Sequence, residues 1–346
     1  MNKILFSKNL TPEIQEITRE INPSQILLIC DENTHTHCLP KVGNLEIPDE
    51  NVFVATPGEG NKNLKTCELI WDMMTKAKLD RKALVINLGG GVITDMGGFC
   101  ASIYKRGIRF INIPTTLLSQ VDASVGGKLG IDFQGLKNHL GVFNEPEAVI
   151  VSPEFLETLP KSELRSGFAE IMKHGLISNS DYFDSLDLTN WKHSNWPEII
   201  RKSVEIKQLV VVNDPKETGQ RKILNFGHTI GHALESFYLD GSNHLLHGEA
   251  IAIGMICEAH LSNVINGMSE EELEKITGAF LTVFGKNDIP EEDIESIVDL
   301  CLQDKKNEGN SLLFSLLNSI GDCAYNIPVT RSQIVQSIQF YRNLAS

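Results

Sequence analysis

The run Ala83-Leu-Val-Ile-Asn-Leu88 goes straight into Gly89-Gly90-Gly91, and a helical pattern, Val92 to Tyr104, starts at once. A strand this apolar has both faces covered, which is the environment of a parallel sheet flanked by helices. Four further short runs repeat the theme: Ile26 to Cys30, Asn51 to Thr56, Phe110 to Pro114 and Ala148 to Val151. Between them, Asn61 to Lys78 reads as a helix with Leu64, Leu69, Ile70 and Met73 on one side. Strands alternating with helices specify a Rossmann-like α/β domain, whose parallel sheet takes ligands at the strand ends.

The glycines fit two readings. They cradle a pyrophosphate, whose oxygens reach backbone N–H groups at the positive end of the following helix, or they form a tight turn without a ligand. Thr94 stands where the dinucleotide fingerprint Gly-x-Gly-x-x-Gly has its last glycine, so that fingerprint is absent. Asp31 and Glu59, each just past a strand, are placed either to accept hydrogen bonds from ribose hydroxyls or to cap helices. Farther on, Val121-Asp-Ala-Ser-Val-Gly-Gly-Lys128 and Gly135-Leu-Lys-Asn138 set glycines beside lysines, a pattern suited to a phosphate or carboxylate.

Beyond Pro153 the pattern turns helical: about Ser162 to Ile177, Trp196 to Val212, Phe226 to Ser236, Gly248 to Asn263, Glu270 to Phe284 and Glu291 to Cys301. A small hairpin, Leu312 to Leu317 with Cys323 to Ile327, precedes a last helix from Arg331 to Leu344. A chain of 346 residues exceeds one ordinary core. We therefore expect an α/β domain over residues 1–152 and a mostly α-helical domain over 153–346.

The second half carries the densest chemistry. Asn225-Phe-Gly-His-Thr-Ile-Gly-His-Ala233 sets His228 and His232 four residues apart on one helical face, and His247 follows a polar turn. Upstream, Glu170 and Lys173 offer a carboxylate and an amine at i and i+3. One carboxylate and two neutral imidazoles are a ligand set for a catalytic zinc that keeps a position open. The alternative is a pair of helix-surface histidines. Gly227 and Gly231 tip the balance toward metal, because glycine costs about 1 kcal/mol inside a helix and something must approach that backbone closely. Taken singly, Lys207, Arg221 and the lysines of Asp304-Lys305-Lys306-Asn307 read as solvated surface charges.

A net charge of −14 argues against nucleic acid as a partner, while leaving room for a small anion in a locally basic pocket. The start, Met1 to Lys8, lacks the pattern of a secretory signal, and the longest apolar run, Ala250 to Cys257, is too short to span a bilayer. Seven cysteines without a Cys-x-x-Cys pair read as reduced thiols, and so as a cytoplasmic address.

In order along the chain, several motifs resemble those of one family, the 3-dehydroquinate synthases. They are Gly89-Gly-Gly-Val-Ile-Thr-Asp95, Tyr104-Lys-Arg-Gly-Ile-Arg109, Ile113 to Lys128, Gly167-Phe-Ala-Glu-Ile-Met-Lys173, Asn225 to Ala233, Leu246-His-Gly-Glu249 and Asp304-Lys-Lys306. The resemblance implies an NAD-binding α/β domain and a helical metal-binding domain, an active site in the cleft between them, and a homodimer. It implies Glu170, His228 and His247 as ligands of Zn²⁺, or of Co²⁺ in its place. NAD contacts fall on Asp31, Asn33, Glu59, Lys62, Gly90, Gly91, Val92, Asp95, Thr115, Thr116 and Thr158, with Asp122, Lys128 and Lys137 shared with the substrate. Substrate positions are Arg106, Lys128, Lys137, Asn138, Lys207, Arg221, Asn225, His232 and either Lys305 or Lys306, Lys305 being taken here. Asp122, Lys128, Lys173 and His232 take catalytic roles.

Two departures stand out. The chain has Gln134-Gly-Leu-Lys-Asn138 where the family commonly reads Pro-Leu-Gly-Lys-Asn, and Leu129 where it has threonine. The implied reaction converts 3-deoxy-D-arabino-heptulosonate 7-phosphate into 3-dehydroquinate and phosphate, by transient NAD-dependent oxidation, elimination, reduction and aldol closure. Related sugar-phosphate cyclases of the inosose or valiolone type, and metal- and NAD-dependent polyol dehydrogenases, are the rival readings.

Overall fold

The computed structural model describes residues 3–43, 45–134, 136–239, 244–303 and 312–345. The chain divides into two units, Met1–Pro160 with Trp196–Val204, and Lys161–Asn195 with Glu205–Ser346. The first unit therefore runs beyond residue 152 and takes in the start of a later helix.

The first unit is built on six parallel strands: β1 (Lys3–Phe6), β2 (Ile26–Asp31), β3 (Val52–Ala55), β4 (Leu84–Gly89), β5 (Arg109–Pro114) and, after the hairpin below, β8 (Ala148–Val151). Their order in the sheet is β1-β8-β5-β4-β2-β3, every pair parallel. Central β4 is buried along its whole length, as its unbroken apolar run requires. One face packs on α4 (Leu64–Lys76) and α5 (Gly91–Ile103), through Ile70, Met74, Met96 and Phe99. The other packs on α1 (Leu10–Ile21), α2 (Glu32–His37) and α3 (Leu39–Val42), through Leu10, Ile14, Ile17 and Val42.

Strand β1 and helix α1 are additions to the sequence reading. So is an antiparallel hairpin, β6 (Lys128–Phe133) with β7 (Leu136–Phe143), which occupies the stretch read as glycine-lysine anion loops. Leu129 and Ile131 of β6 alternate into the core, and β7 keeps one face exposed. Lys128 and Asn138 are thus strand residues, held by the pairing on either side of them.

The second unit contains α6 (Lys161–Ser178), α7 (Ser180–Asp184), the later part of α8 (Trp196–Asn213), α9 (His228–Phe237), α10 (His247–Leu261), α11 (Glu270–Phe284), α12 (Ile294–Gln303) and α13 (Arg331–Asn343). The hairpin β9 (Leu312–Ser319) with β10 (Asp322–Val329) completes it and is longer than its apolar stretches indicate. Helix α10 is buried nearly all round, with α6, α9, α11 and α13 packed against it. No helix among the described residues is long and apolar enough to cross a membrane.

Candidate active site

Three helices of the second unit bring together one carboxylate and two imidazoles. Glu170 lies mid-way along α6 and is fully buried, whereas His228 and His247 are the first residues of α9 and α10. Oε1 of Glu170 is 3.5 Å from Nε2 of His228 and 3.7 Å from Nε2 of His247. Ligand atoms of the three all lie within 4.8 Å of one another. Bonds of about 2.1 Å at a tetrahedral centre set ligand atoms about 3.4 Å apart, so this triangle fits a Zn²⁺-sized ion. The other ring nitrogens are occupied. Nδ1 of His228 faces the Phe226 carbonyl at 3.1 Å, and Nδ1 of His247 faces Oε2 of Glu235 at 3.4 Å. A proton on each Nδ1 leaves both Nε2 lone pairs available to a metal ion.

The electrostatics agree with a cation site. Burial pushes the Glu170 carboxyl up, but the Lys173 ammonium, ion-paired with Oε2, and the two histidines hold it well below the usual carboxylate range. Burial, then Lys173, hold His228 well below the ordinary imidazole value, so it is neutral and free to ligate. For His247 burial acts against the charge, yet Glu170 and Glu235 outweigh it and raise the value to about 9. Two carboxylates thus ask for positive charge at this position, which a metal ion supplies in exchange for the proton.

What approaches the glycines of the histidine motif is the backbone of α10. A Cβ on Gly231 would lie 3.0 Å from Cα of Ile251, and one on Gly254 would lie 2.7 Å from N and 3.0 Å from Cα of Gly231. A Cβ on Gly248 would run into the Ser166 backbone of α6. Gly227, at φ +81°, turns the chain into α9 in the left-handed region. Glycines therefore let these three helices close to backbone contact, and the triangle of Glu170, His228 and His247 is a consequence of that packing.

His232, one turn beyond His228, has its ring 5.0 Å from that of His228 and 6.0 Å from that of His247. Lys173, Lys207 and Arg221 are buried cations of this unit, although in sequence the last two resemble surface charges. Arg221 donates from Nη1 to the Pro215 carbonyl at 2.7 Å, and Asn225 donates to Glu217 Oε1 at 2.7 Å. Asp214 organises this loop by accepting from the N–H groups of Thr218, Gly219 and Arg221. Lys305, with Lys306, lies outside the described residues. Glu217 and Glu235 were missed in the sequence. Glu235 had a signal, since His228, His232 and Glu235 share one stripe at i, i+4, i+7.

In the first unit, the residues matched to dinucleotide contacts gather after the carboxyl ends of the strands. Asp31 ends β2 and Asn33 follows it, Glu59 and Lys62 follow β3, Gly90, Gly91, Val92 and Asp95 follow β4, and Thr115 and Thr116 follow β5. Helix α5 starts at Gly91 with Gly90 as a cap that has no side chain, so its first N–H groups lack a side-chain acceptor. A Cβ on Gly90 would come within 3.0 Å of Thr116 Cγ2, so a side chain there would fill the cradle. Asp31 caps α2 by accepting from the Thr34 N–H at 2.8 Å. Lys62 is buried and donates to Asp95 Oδ2 at 2.7 Å and Asn138 Oδ1 at 2.6 Å, tying the β6–β7 hairpin to α5. Asp122 lies in a turn of π-helix, Ser119–Ala123, and Thr158 ends the 3-10 helix Pro153–Thr158. Lys128 is exposed at the start of β6, Lys137 is partly buried on β7, and Arg106 is exposed at φ +68°.

The family model for the 3-dehydroquinate synthase N-terminal region matches residues 52–166, and that for the C-terminal region matches 167–307. A 3-dehydroquinate synthase of Parabacteroides distasonis is 39% identical over 344 residues, covering 98% of each chain. Among solved structures, a 2-deoxy-scyllo-inosose synthase complexed with carbaglucose-6-phosphate, NAD⁺ and Co²⁺ superposes with TM-score 0.83 at 26% identity, over 97% of this chain and 96% of that one. A 2-epi-5-epi-valiolone synthase of Streptomyces hygroscopicus with NAD⁺ and Zn²⁺ bound reaches TM-score 0.87 at 24% identity, over 99% and 96%, a likeness of fold. With both halves matched in order and near-complete coverage of a curated relative, this chain belongs to the 3-dehydroquinate synthase family.

Proposed function

We propose that the chain converts 3-deoxy-D-arabino-heptulosonate 7-phosphate into 3-dehydroquinate and phosphate, with NAD and one divalent ion, Zn²⁺ or Co²⁺, as cofactors. The observation that supports the metal is the triangle of Glu170, His228 and His247, with Oε1 of the glutamate 3.5 and 3.7 Å from the two Nε2 atoms and both Nδ1 positions already engaged. A divalent ion held there lowers the pKa of substrate hydroxyls that bind it. NAD, whose pyrophosphate the uncapped start of α5 is suited to receive, supplies a reversible hydride acceptor for the secondary alcohol.

The chain's own part is binding and proton handling. Lys173 neutralises the buried Glu170 carboxylate and leaves Oε1 turned to the histidines. Arg221 and Lys207, with Lys128, Lys137, Arg106, Asn138 and Asn225, bind the substrate carboxylate and phosphate, arginine as a fork and lysine as a point charge. Such a cation set in a chain of net charge −14 marks where an anionic substrate is wanted. His232, its ring 5.0 Å from that of His228 and 6.0 Å from that of His247, holds and passes the substrate hydroxyl proton, a part we assign to Asp122 as well. Substrate phosphate takes the proton beside the new ketone as it leaves, so the protein needs no strong base of its own. We assign the enzyme to the cytoplasm as a homodimer. The first is supported by its mostly buried cysteines, none of them in a disulfide, the second by family membership.

The test is incubation of the purified protein with NAD⁺, Zn²⁺ and the heptulosonate phosphate. Phosphate release without lasting absorbance of reduced cofactor, together with 3-dehydroquinate as product, supports the reading. Stoichiometric reduced cofactor would instead identify a polyol dehydrogenase, and another carbocycle would identify a related cyclase.

A further inference from the structure

Glu258 is a fully buried carboxylate on α10 that stands outside the triangle of Glu170, His228 and His247. Its Oε2 accepts the Gly227 N–H at 2.7 Å and its Oε1 accepts the Ile230 N–H at 3.3 Å. The Gly227 N–H and the Phe226 carbonyl belong to one peptide group. That carbonyl is the atom facing Nδ1 of His228 at 3.1 Å. Carboxylate, peptide and imidazole therefore form one line running from α10 to the start of α9.

We propose that Glu258 is the positioning residue of His228, acting through the Phe226–Gly227 peptide. An anionic acceptor on the N–H polarises the peptide and makes its carbonyl a stronger acceptor. The strengthened carbonyl holds the proton on Nδ1 and so keeps the Nε2 lone pair available to an ion shared with Glu170, whose Oε1 lies 3.5 Å from Nε2. Gly227 makes the turn that this requires, since its φ of +81° strains any other residue and its Cβ would meet N of Met255 at 3.1 Å. The same oxygens also satisfy two N–H groups at a helix start that has no side-chain cap of its own. His247 has the matching arrangement in direct form, with Glu235 on its Nδ1. Each helix thus carries one candidate ligand and the carboxylate that orients the ligand of the other.

The inference rests on the metal reading, and the experiment separates the two. Zn²⁺ affinity of the NAD-loaded protein is measured by competition with a chromophoric chelator, for wild type, Glu170→Ala, Glu258→Gln and Ser269→Ala. The last removes a cap at α11, remote in sequence from the ligands, and controls for lost helix capping as such. Glu258→Gln is expected to lose about tenfold in Zn²⁺ affinity. It should also shift the visible spectrum of the Co²⁺-loaded protein and keep its NAD⁺ affinity, while Ser269→Ala changes stability alone. Equal Zn²⁺ affinity and an unchanged Co²⁺ spectrum in Glu258→Gln overturn the assignment. Wild type whose Zn²⁺ binding is indifferent to Glu170→Ala overturns the metal reading and this role with it. If Glu258→Gln does not fold, the wild-type imidazole decides by nitrogen NMR: a proton on Nδ1 of His228 supports the line, and its absence breaks it.

Discussion

Replacing Gly254 by alanine tests whether backbone contact between α9 and α10 sets the metal triangle. The new methyl would sit 2.7 Å from N and 3.0 Å from Cα of Gly231, and closer still to the Gly227 carbonyl. Ordinary contact begins at 3.4 Å, so at least about 0.7 Å must be made up, and every offending atom is backbone. No side chain can swing away, hence the helices must part. Overpacking of this kind costs about 1–3 kcal/mol, which in a unit of this size lowers Tm by roughly 3–10 °C. The displacement also exceeds the tolerance of about 0.2 Å on metal–ligand distances, and His228 and His247 sit on the two helices being separated. Zn²⁺ affinity should therefore fall by at least about tenfold, in line with a loss above 1.4 kcal/mol. Thermal unfolding of the metal-free protein and chelator competition measure the two effects. The control is Gly278→Ala on α11, where a Cβ meets nothing within 4 Å, and which should hold or gain about 0.4–1 kcal/mol. If Gly254→Ala matches wild type in both Tm and Zn²⁺ affinity, the close crossing is not what holds the ligands in place.

Other perturbations probe the remaining parts. Lys62→Met leaves Asp95 without its buried ammonium and should destabilise the protein by about 3–5 kcal/mol, read as a lower Tm; a neutral result would mean that the pair is solvated. Arg221→Ala and Lys207→Ala should raise KM for the sugar phosphate by about 10–100-fold, as expected for losing a hydrogen bond to a charged group, with NAD⁺ affinity nearly intact. An equal loss of both affinities counts against their assignment to the substrate. For Asp214, burial acts to raise the carboxyl pKa, but N–H donors from Gly219, Thr218 and Arg221 outweigh it and hold it below the usual value. Its contribution to stability is present above the unfolded pKa of about 3.9 and is lost as pH falls through the lowered folded value. The Tm gap between wild type and Asp214→Asn should narrow on acidification from pH 6 toward pH 2, and a gap independent of pH would rule out the linkage.

Strand β4 and its glycines could be read from the sequence because a strand covered on both faces leaves an apolar run that is legible without its neighbours. The same holds for α9, whose paired histidines and glycines carry their spacing in the chain. Helix α1 also left a trace, with Leu10, Ile14 and Ile17 on one face, and so did β6, with Leu129 and Ile131 alternating with Lys128, Gly130 and Asp132. For β6 the glycine-lysine pair at its start reads as a loop and masks the alternation.

Local order in this chain is written in periodicity, and so the sequence alone determined the alternating strands and helices, the family, and which carboxylate and imidazoles to suspect. Partners far apart in the sequence leave no such record. Glu258 reads as one charge in an apolar helix until folding sets it on the Gly227 N–H, 31 residues away, and Lys207 and Arg221 read as surface cations until the helices bury them. Only the tertiary structure decided that α10 is what presses on Gly227 and Gly231, because the distance between two helix backbones depends on the missing side chains of both.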